Sequence, residues 1–163
     1  MRRLAAILGV AIAATIAGCK SSPSGASGNG APLQLEWHLA AAKPRKGYTE
    51  MTYRDEPRTA ENTVWVDPRP ILRLSDIANA AKSKTGDPWL YLDIKVAARV
   101  GFQAETGSHV KDLLVLLMNG QIVCDATLES SLSRQVPVRI GTGGITDAEA
   151  DAIMDAVRRS GGK

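Results

Sequence analysis

The chain has 163 residues, with 20 Lys and Arg against 17 Asp and Glu for a formal charge of +3, two histidines and two cysteines. Arg2 and Arg3 sit in a leader-like segment, so the remainder carries 18 basic residues against 17 acidic ones and lacks the basic stripe that nucleic-acid binding needs. With one cysteine beyond the leader region and two histidines lacking partners at ligand spacing, an internal disulfide and a zinc site are both unexpected. No Gly-x-Ser-x-Gly elbow, phosphate loop or cofactor motif occurs, and Gly141-Thr142-Gly143-Gly144 reads as a turn before a helix.

Met1-Arg2-Arg3, an apolar run from Leu4 to Ala17, and Gly18-Cys19 have the layout of an export signal. The fourteen residues of this mostly apolar run rise only about 21 Å as a helix, short of a bilayer's hydrocarbon layer of roughly 30 Å. Ile16-Ala17-Gly18-Cys19 resembles the lipobox of bacterial lipoproteins. That resemblance implies residues 1–18 as the signal, cleavage after Gly18 and a lipid on Cys19; the alternative is plain secretion with Cys19 an incidental thiol. Lys20 after the cysteine is similar to outer-membrane-sorted lipoproteins, which implies the periplasmic face of the outer membrane where the cell has one. Residues 19–32 are rich in Ser, Gly and Pro and read as a tether with a reach of about 20 Å. Residues 33–163 are expected to form one α+β domain.

Leu33 to Leu39 alternates as a half-buried strand, with Trp37 inward and His38 outward beside Glu36. Ala40 to Thr63 is either a functional loop or an ornamented connection with a short strand near Thr49–Tyr53. Val64-Trp65-Val66 is a brief strand that Asp67-Pro68-Arg69-Pro70 closes. Ser75 and Asp76 suit the start of a helix running to about Lys84. Trp89 to Lys95 alternates cleanly, Leu90, Leu92 and Ile94 on one face and Trp89, Tyr91 and Asp93 on the other. A second helix, Val96 to Thr106, offers Ala97, Val100, Ala104 and Phe102 as its apolar stripe.

Leu113–Met118, Asn119-Gly120 and Gln121–Asp125 spell a tight hairpin, because a two-residue turn matched to strand twist needs positive φ at both central positions. Cys124 is expected as a buried, inert thiol pointing the way of Ile122. Ala126–Gln135 reads as irregular and Val136–Ile140 as an edge strand, since Pro137 has no donor. Thr146 and Glu149 form a capping box for a last helix whose buried stripe is Ala150, Ile153, Met154 and Val157. The expected architecture is an antiparallel or mixed sheet with about three helices on one face.

In order, Val66-Asp67-Pro68-Arg69-Pro70, Leu74–Ile77, Trp89–Ile94, Phe102–Thr106, Val110–Leu128 and Gly143–Ala150 resemble the head subdomain of the first periplasmic domain of SecD and SecDF. The resemblance spans 64–161 and implies a two-layer sandwich that contacts polypeptide during export. Asp125-Ala126 stands where that family has Ala-Pro, Ser130–Val136 lacks its glycine-rich loop, and the base and membrane helices have no counterpart. A binding fold without a motor is what carries over: no enzyme, no cofactor, and a membrane reached through the Cys19 lipid. Its partner would be unfolded exported polypeptide or Sec translocase subunits. A structural or assembly lipoprotein is the alternative; an enzyme built on His38, Asp55 and Glu56 is a third reading.

If Leu90, Leu92 and Ile94 pack under the helices, Trp89 and Tyr91 share the opposite face with one apolar set of the hairpin. Leu114, Leu116 and Met118 are taken as that set, with Leu113, Val115 and Leu117 the other choice. Such a face is a candidate partner-binding surface. Alternatively, Ala40–Thr63 folds across it and completes a core, with Met51 and Tyr53 as plugs.

Overall fold

A computed structural model of the protein describes residues 32–56, 59 and 61–161. The leader, Cys19 and the tether lie outside those residues. No described helix is long and apolar enough to cross a membrane.

Among the described residues eight strands and two helices follow one another: β1 Leu35–Ala41, β2 Thr49–Thr52, β3 Thr63–Arg73, β4 Ile77–Lys82, β5 Trp89–Ile94, α1 Val96–Ser108, β6 Leu113–Met118, β7 Gln121–Thr127, β8 Gln135–Arg139 and α2 Asp147–Gly161. They form an α+β fold with two antiparallel sheets, one of five strands ordered β2-β3-β1-β6-β7 and one of three ordered β4-β5-β8. The α+β class and the antiparallel pairing are as expected, and the strands divide between two sheets because β5 pairs with β4 and β8 while β6 pairs with β1 and β7.

The main core fills the space between one face of each sheet. Leu35, Trp37 and Leu39 of β1 and Leu114, Leu116 and Met118 of β6 enter from the larger sheet. Leu90, Leu92 and Ile94 of β5 and Val136 and Val138 of β8 enter from the smaller. Phe102 of α1 and Ala150, Ile153 and Val157 of α2 pack into the same cluster. Buried Val and Leu at alternate positions with polar or half-buried residues between them give β5 and β8 their clean two-residue period.

The five-stranded sheet curls. Past the end of β2, Tyr53 makes a parallel bridge to Ile122 of β7, so the first and last strands of the sheet meet there. Inside the curl lie Ala40, Val64, Val66, Val115, Leu117 and Ile122, covered by Met51 and Tyr53. Ala40–Thr63 therefore completes a second small core, with β2 inside it. His38 is buried too, contrary to its expected outward position; it is 4% exposed. Its Nδ1 stands 2.7 Å from the carbonyl oxygen of Asp67, which can only accept, so Nδ1 carries the hydrogen.

Several expected elements differ. Leu74–Asp76 is a single 3₁₀ turn, and the segment read as a helix to Lys84 becomes β4, leaving two helices instead of three. The run Ala78-Asn79-Ala80-Ala81-Lys82 favours helix locally, but Ile77 is fully buried against Ile94 and the ladder with β5 fixes the rest extended. Pro68 and Pro70 do not end β3. The strand continues to Arg73 through a bulge in which Asp67, Pro68 and Arg69 stand out from the register with β1. The Asp67 carboxylate steadies that bulge by accepting from the Arg69 backbone N–H at 2.9 Å.

On α1 the buried residues are Phe102 and Thr106, whereas Ala97, Val100 and Ala104 face outward; Val100 is 78% exposed. Thr106 is a tie to the loop after β7: its Oγ1 donates to Phe102 O at 2.8 Å and accepts from Leu132 N–H at 2.9 Å. A bulge between Leu116 and Leu117 of the β6–β7 ladder sends Ile122 into the small core and Cys124 toward the main one, so the two do not share a direction.

The hairpin and the last helix form as read. Asn119 and Gly120 take φ of 51° and 80°, the paired left-handed values of a tight hairpin turn. Thr146 Oγ1 accepts from Glu149 N–H at 3.2 Å while Glu149 Oε2 accepts from Thr146 N–H at 2.8 Å, closing the capping box.

Glu149 has a second task. It accepts from both terminal guanidinium nitrogens of Arg54, latching the segment after β2 onto α2. Burial pushes its carboxyl up, but the Arg54 and Thr146 hydrogen bonds outweigh that and hold it below the usual carboxylate range. A carboxyl lowered on folding adds stability above its unfolded value of about 4.3, which is lost as pH falls through the folded value. Glu149→Gln keeps the capping box and should flatten the acid limb of stability against pH, measured by urea melts between pH 3 and 7. An unchanged acid limb would show that the latch contributes nothing.

Candidate cleft between two strand edges

β7 is the last strand of the larger sheet and β8 the last strand of the smaller. The two edges flank a cleft of about 210 Å³. Its apolar lining comes from Trp37 on β1, Leu114 and Leu116 on β6, and Trp89 on β5. One wall is Cys124, Asp125 and Ala126 of β7; the other includes Pro137 and Arg139 of β8, with Gly143 also lining it.

Each wall follows from local sequence. The Asn119-Gly120 turn fixes the register of β7 on β6, and the bulge at Val123 then turns Cys124 toward Leu116, its partner across the ladder. Asp125, Ala126 and Thr127 are exposed. On the facing wall, Pro137 is tolerated because β8 pairs only with β5. Arg139 projects from the end of β8 opposite Trp89. Asp125 and Arg139 both line the opening, and the Asp125 carboxylate also bonds the Tyr53 hydroxyl.

The five residues expected on one partner-binding face are placed in two settings. Leu114, Leu116 and Met118 are 5%, 2% and 6% exposed and belong to the main core, so they do not lie on a sheet face with Trp89 and Tyr91. Trp89 and Tyr91 are half-buried on the outer side of the three-stranded sheet. The cleft nevertheless joins Trp89 to the edges of Leu114 and Leu116, while Tyr91 and Met118 stay outside it. Trp37, Ala126 and Arg139 were not among the candidates. The signal that could have found them is the pairing of a proline-bearing edge strand with a hairpin arm that has no further neighbour.

Cys124 is half-buried beside the cleft, and burial, reinforced by the Asp125 and Glu149 carboxylates, pushes its thiol up to about 12. It therefore stays protonated at neutral pH and is a poor nucleophile. Asp55 and Glu56 line polar hollows beside the Tyr53–Ile122 bridge that do not include His38, which bonds instead to Asp67. The three residues of the enzyme reading do not converge. Among the described residues no group of three or more His, Cys, Asp or Glu could hold a metal ion.

No protein-family model and no curated protein matches this sequence. Solved structures do. A chain described as a membrane component SecDF that enhances protein export superimposes with a TM-score of 0.55 at 19% identity, covering 80% of this chain and 63% of that one. SecDF in a super-membrane-facing form gives 0.54 at 20% identity, covering 78% of this chain and 19% of that one. The fold is shared with a part of SecDF. At these identities the likeness establishes fold alone, and this chain spans 63% and 19% of the two chains it matches.

Proposed function

We propose that the protein is a lipid-anchored component of the cell envelope that binds polypeptide in an extended state, and that it takes part in protein export without a motor of its own. The observation that carries the reading is the cleft between two strand edges, on a fold shared with a component that enhances protein export. Cys19 supplies the anchor and residues 20–32 the tether, so the cleft works close to a membrane surface. The partner is an unfolded exported chain or a subunit of the translocase.

Photo-crosslinking in cells from position 89 tests this. Exported chains caught before folding, or translocase subunits, support the reading; mature envelope components alone would favour a structural or assembly lipoprotein. The same cells report the anchor, because the wild type should sediment with membranes and Cys19→Ala should not.

A further inference from the structure

We propose that the open edge of β7 takes up an extended polypeptide as an added strand, with alternate side chains of the incoming segment turned into the cleft. The inference rests on the polypeptide-binding reading above and specifies its mode.

Leu128 N–H donates to Asp112 O at 3.0 Å and Leu128 O accepts from Lys111 N–H at 2.8 Å, so the main-chain groups of Leu128 point toward the β6 side. Alternation along an antiparallel strand then turns those of Thr127 and Asp125 the other way, where the sheet has no further strand. Each of these two residues presents one donor and one acceptor, and both are exposed. A row of unpaired N–H and C=O groups is a template for another strand.

The chain already uses this edge once. Arg54 N–H donates to Ile122 O at 2.9 Å, beside the parallel bridge from Tyr53 to Ile122. The segment after β2 thus fills the first rung, and among the described residues no main-chain partner fills the Asp125 and Thr127 rungs of the same edge. β8 is a poorer template. Pro137 has no N–H, and Arg139 O already accepts from Ile145 N–H at 2.9 Å. β7 therefore supplies the pairing groups and β8 the facing wall.

The occupant's chemistry follows. A volume of about 210 Å³ is below the roughly 300–1,000 Å³ of a small-molecule site, but it suits side chains hung from a strand held at its rim. Trp37, Trp89, Leu114 and Leu116 favour apolar side chains at this edge. The segment is a short extended stretch with apolar residues at every second position and no proline at the pairing positions. Main-chain bonds would give such a site affinity with little sequence preference.

The test is fluorescence anisotropy of the full mature chain with a seven-residue peptide alternating valine and threonine between terminal lysines, N-methylated at one amide at a time. Strand addition predicts a two-residue period: about tenfold or greater loss when a methyl replaces an N–H facing β7, and little change at the positions between. Thr127→Pro removes an outward N–H without breaking the β6 ladder and should weaken the unmodified peptide similarly, with the melting temperature little changed. Binding indifferent to N-methylation would overturn strand addition while leaving polypeptide binding intact. No binding to any extended peptide would overturn both. Concentration-dependent dimerisation abolished by Thr127→Pro would assign the edge to a second copy of the chain and overturn the proposal.

Discussion

Trp37→Ala should remove about 3–5 kcal/mol of folding stability, a large share of the roughly 5–15 kcal/mol that keeps a domain folded. Trp37 is 2% exposed in the main core. On one side it is in register with Leu72 of β3 and on the other with Leu116 of β6, so its ring packs where three strands of the curled sheet pass. Truncation leaves a void bounded by paired strands on either side, which cannot slide inward without breaking their ladders. The measure is the urea midpoint with its slope unchanged. A loss under about 1 kcal/mol would mean that the three strands close over the gap. Trp37→Phe fills most of the volume and should cost less, which makes it the variant for binding work: a folded Trp37→Phe chain that holds extended peptide less tightly would tie the cleft lining to function.

Which parts of this structure could be read from sequence depends on how many residues each feature required to agree. The Asn119-Gly120 corner needed two, chosen for one backbone property, and it formed as read. The Thr146–Glu149 box is likewise a local exchange of two hydrogen bonds. Strands β5 and β8 were legible because each is buried on one face only, which leaves a two-residue period in the sequence. Ile77–Lys82 was not, because an alanine-rich run carries helix propensity while its extended form is imposed by β5, seven or more residues away. α1 offered Val96, Val100 and Ala104 on one side and Ala98, Phe102 and Thr106 on the other; the side with one aromatic ring and a threonine is the one buried. Thr106 gave no hint of that, since its second partner is Leu132, beyond the next two strands.

His38 shows the same limit from the other direction. Alternation placed it correctly opposite Trp37, but its burial comes with the bulge of β3, whose Asp67 carbonyl it meets 29 residues away. The candidate site was half legible for a related reason. Trp89, Leu114 and Leu116 do meet, but across the gap between two sheets and not on one exposed face. Nothing in the periodicity of either segment records that the strands belong to different sheets.

Gly144→Ala should cost about 3 kcal/mol and lower the melting temperature by roughly 10 °C, and it should cost the cleft its β8 wall. After β8 the chain folds back on itself. Gly141 N–H donates to Ile145 O at 2.8 Å, Ile145 N–H donates to Arg139 O at 2.9 Å, and Ile145 is fully buried. This fold-back brings the backbone of Gly144 against that of Arg139. A Cβ at 144 would stand 2.1 Å from Arg139 O and 2.6 Å from its carbonyl carbon, and neither is the end of a side chain that could swing aside. The methyl group must therefore push β8 and the turn apart, opening the Ile145–Arg139 hydrogen bond and drawing Ile145 out of the core. Gly141 is the control: its φ of 91° strains any other residue, but a Cβ there meets nothing within 4 Å, so Gly141→Ala should cost only about 1–2 kcal/mol. Thermal melts of the two variants give the comparison, and a Gly144→Ala chain no weaker than Gly141→Ala would disprove the close approach. Because Arg139 and Pro137 form one wall of the cleft, Gly144→Ala examined below its melting point should also lose grip on extended peptide, whereas Gly141→Ala should retain it.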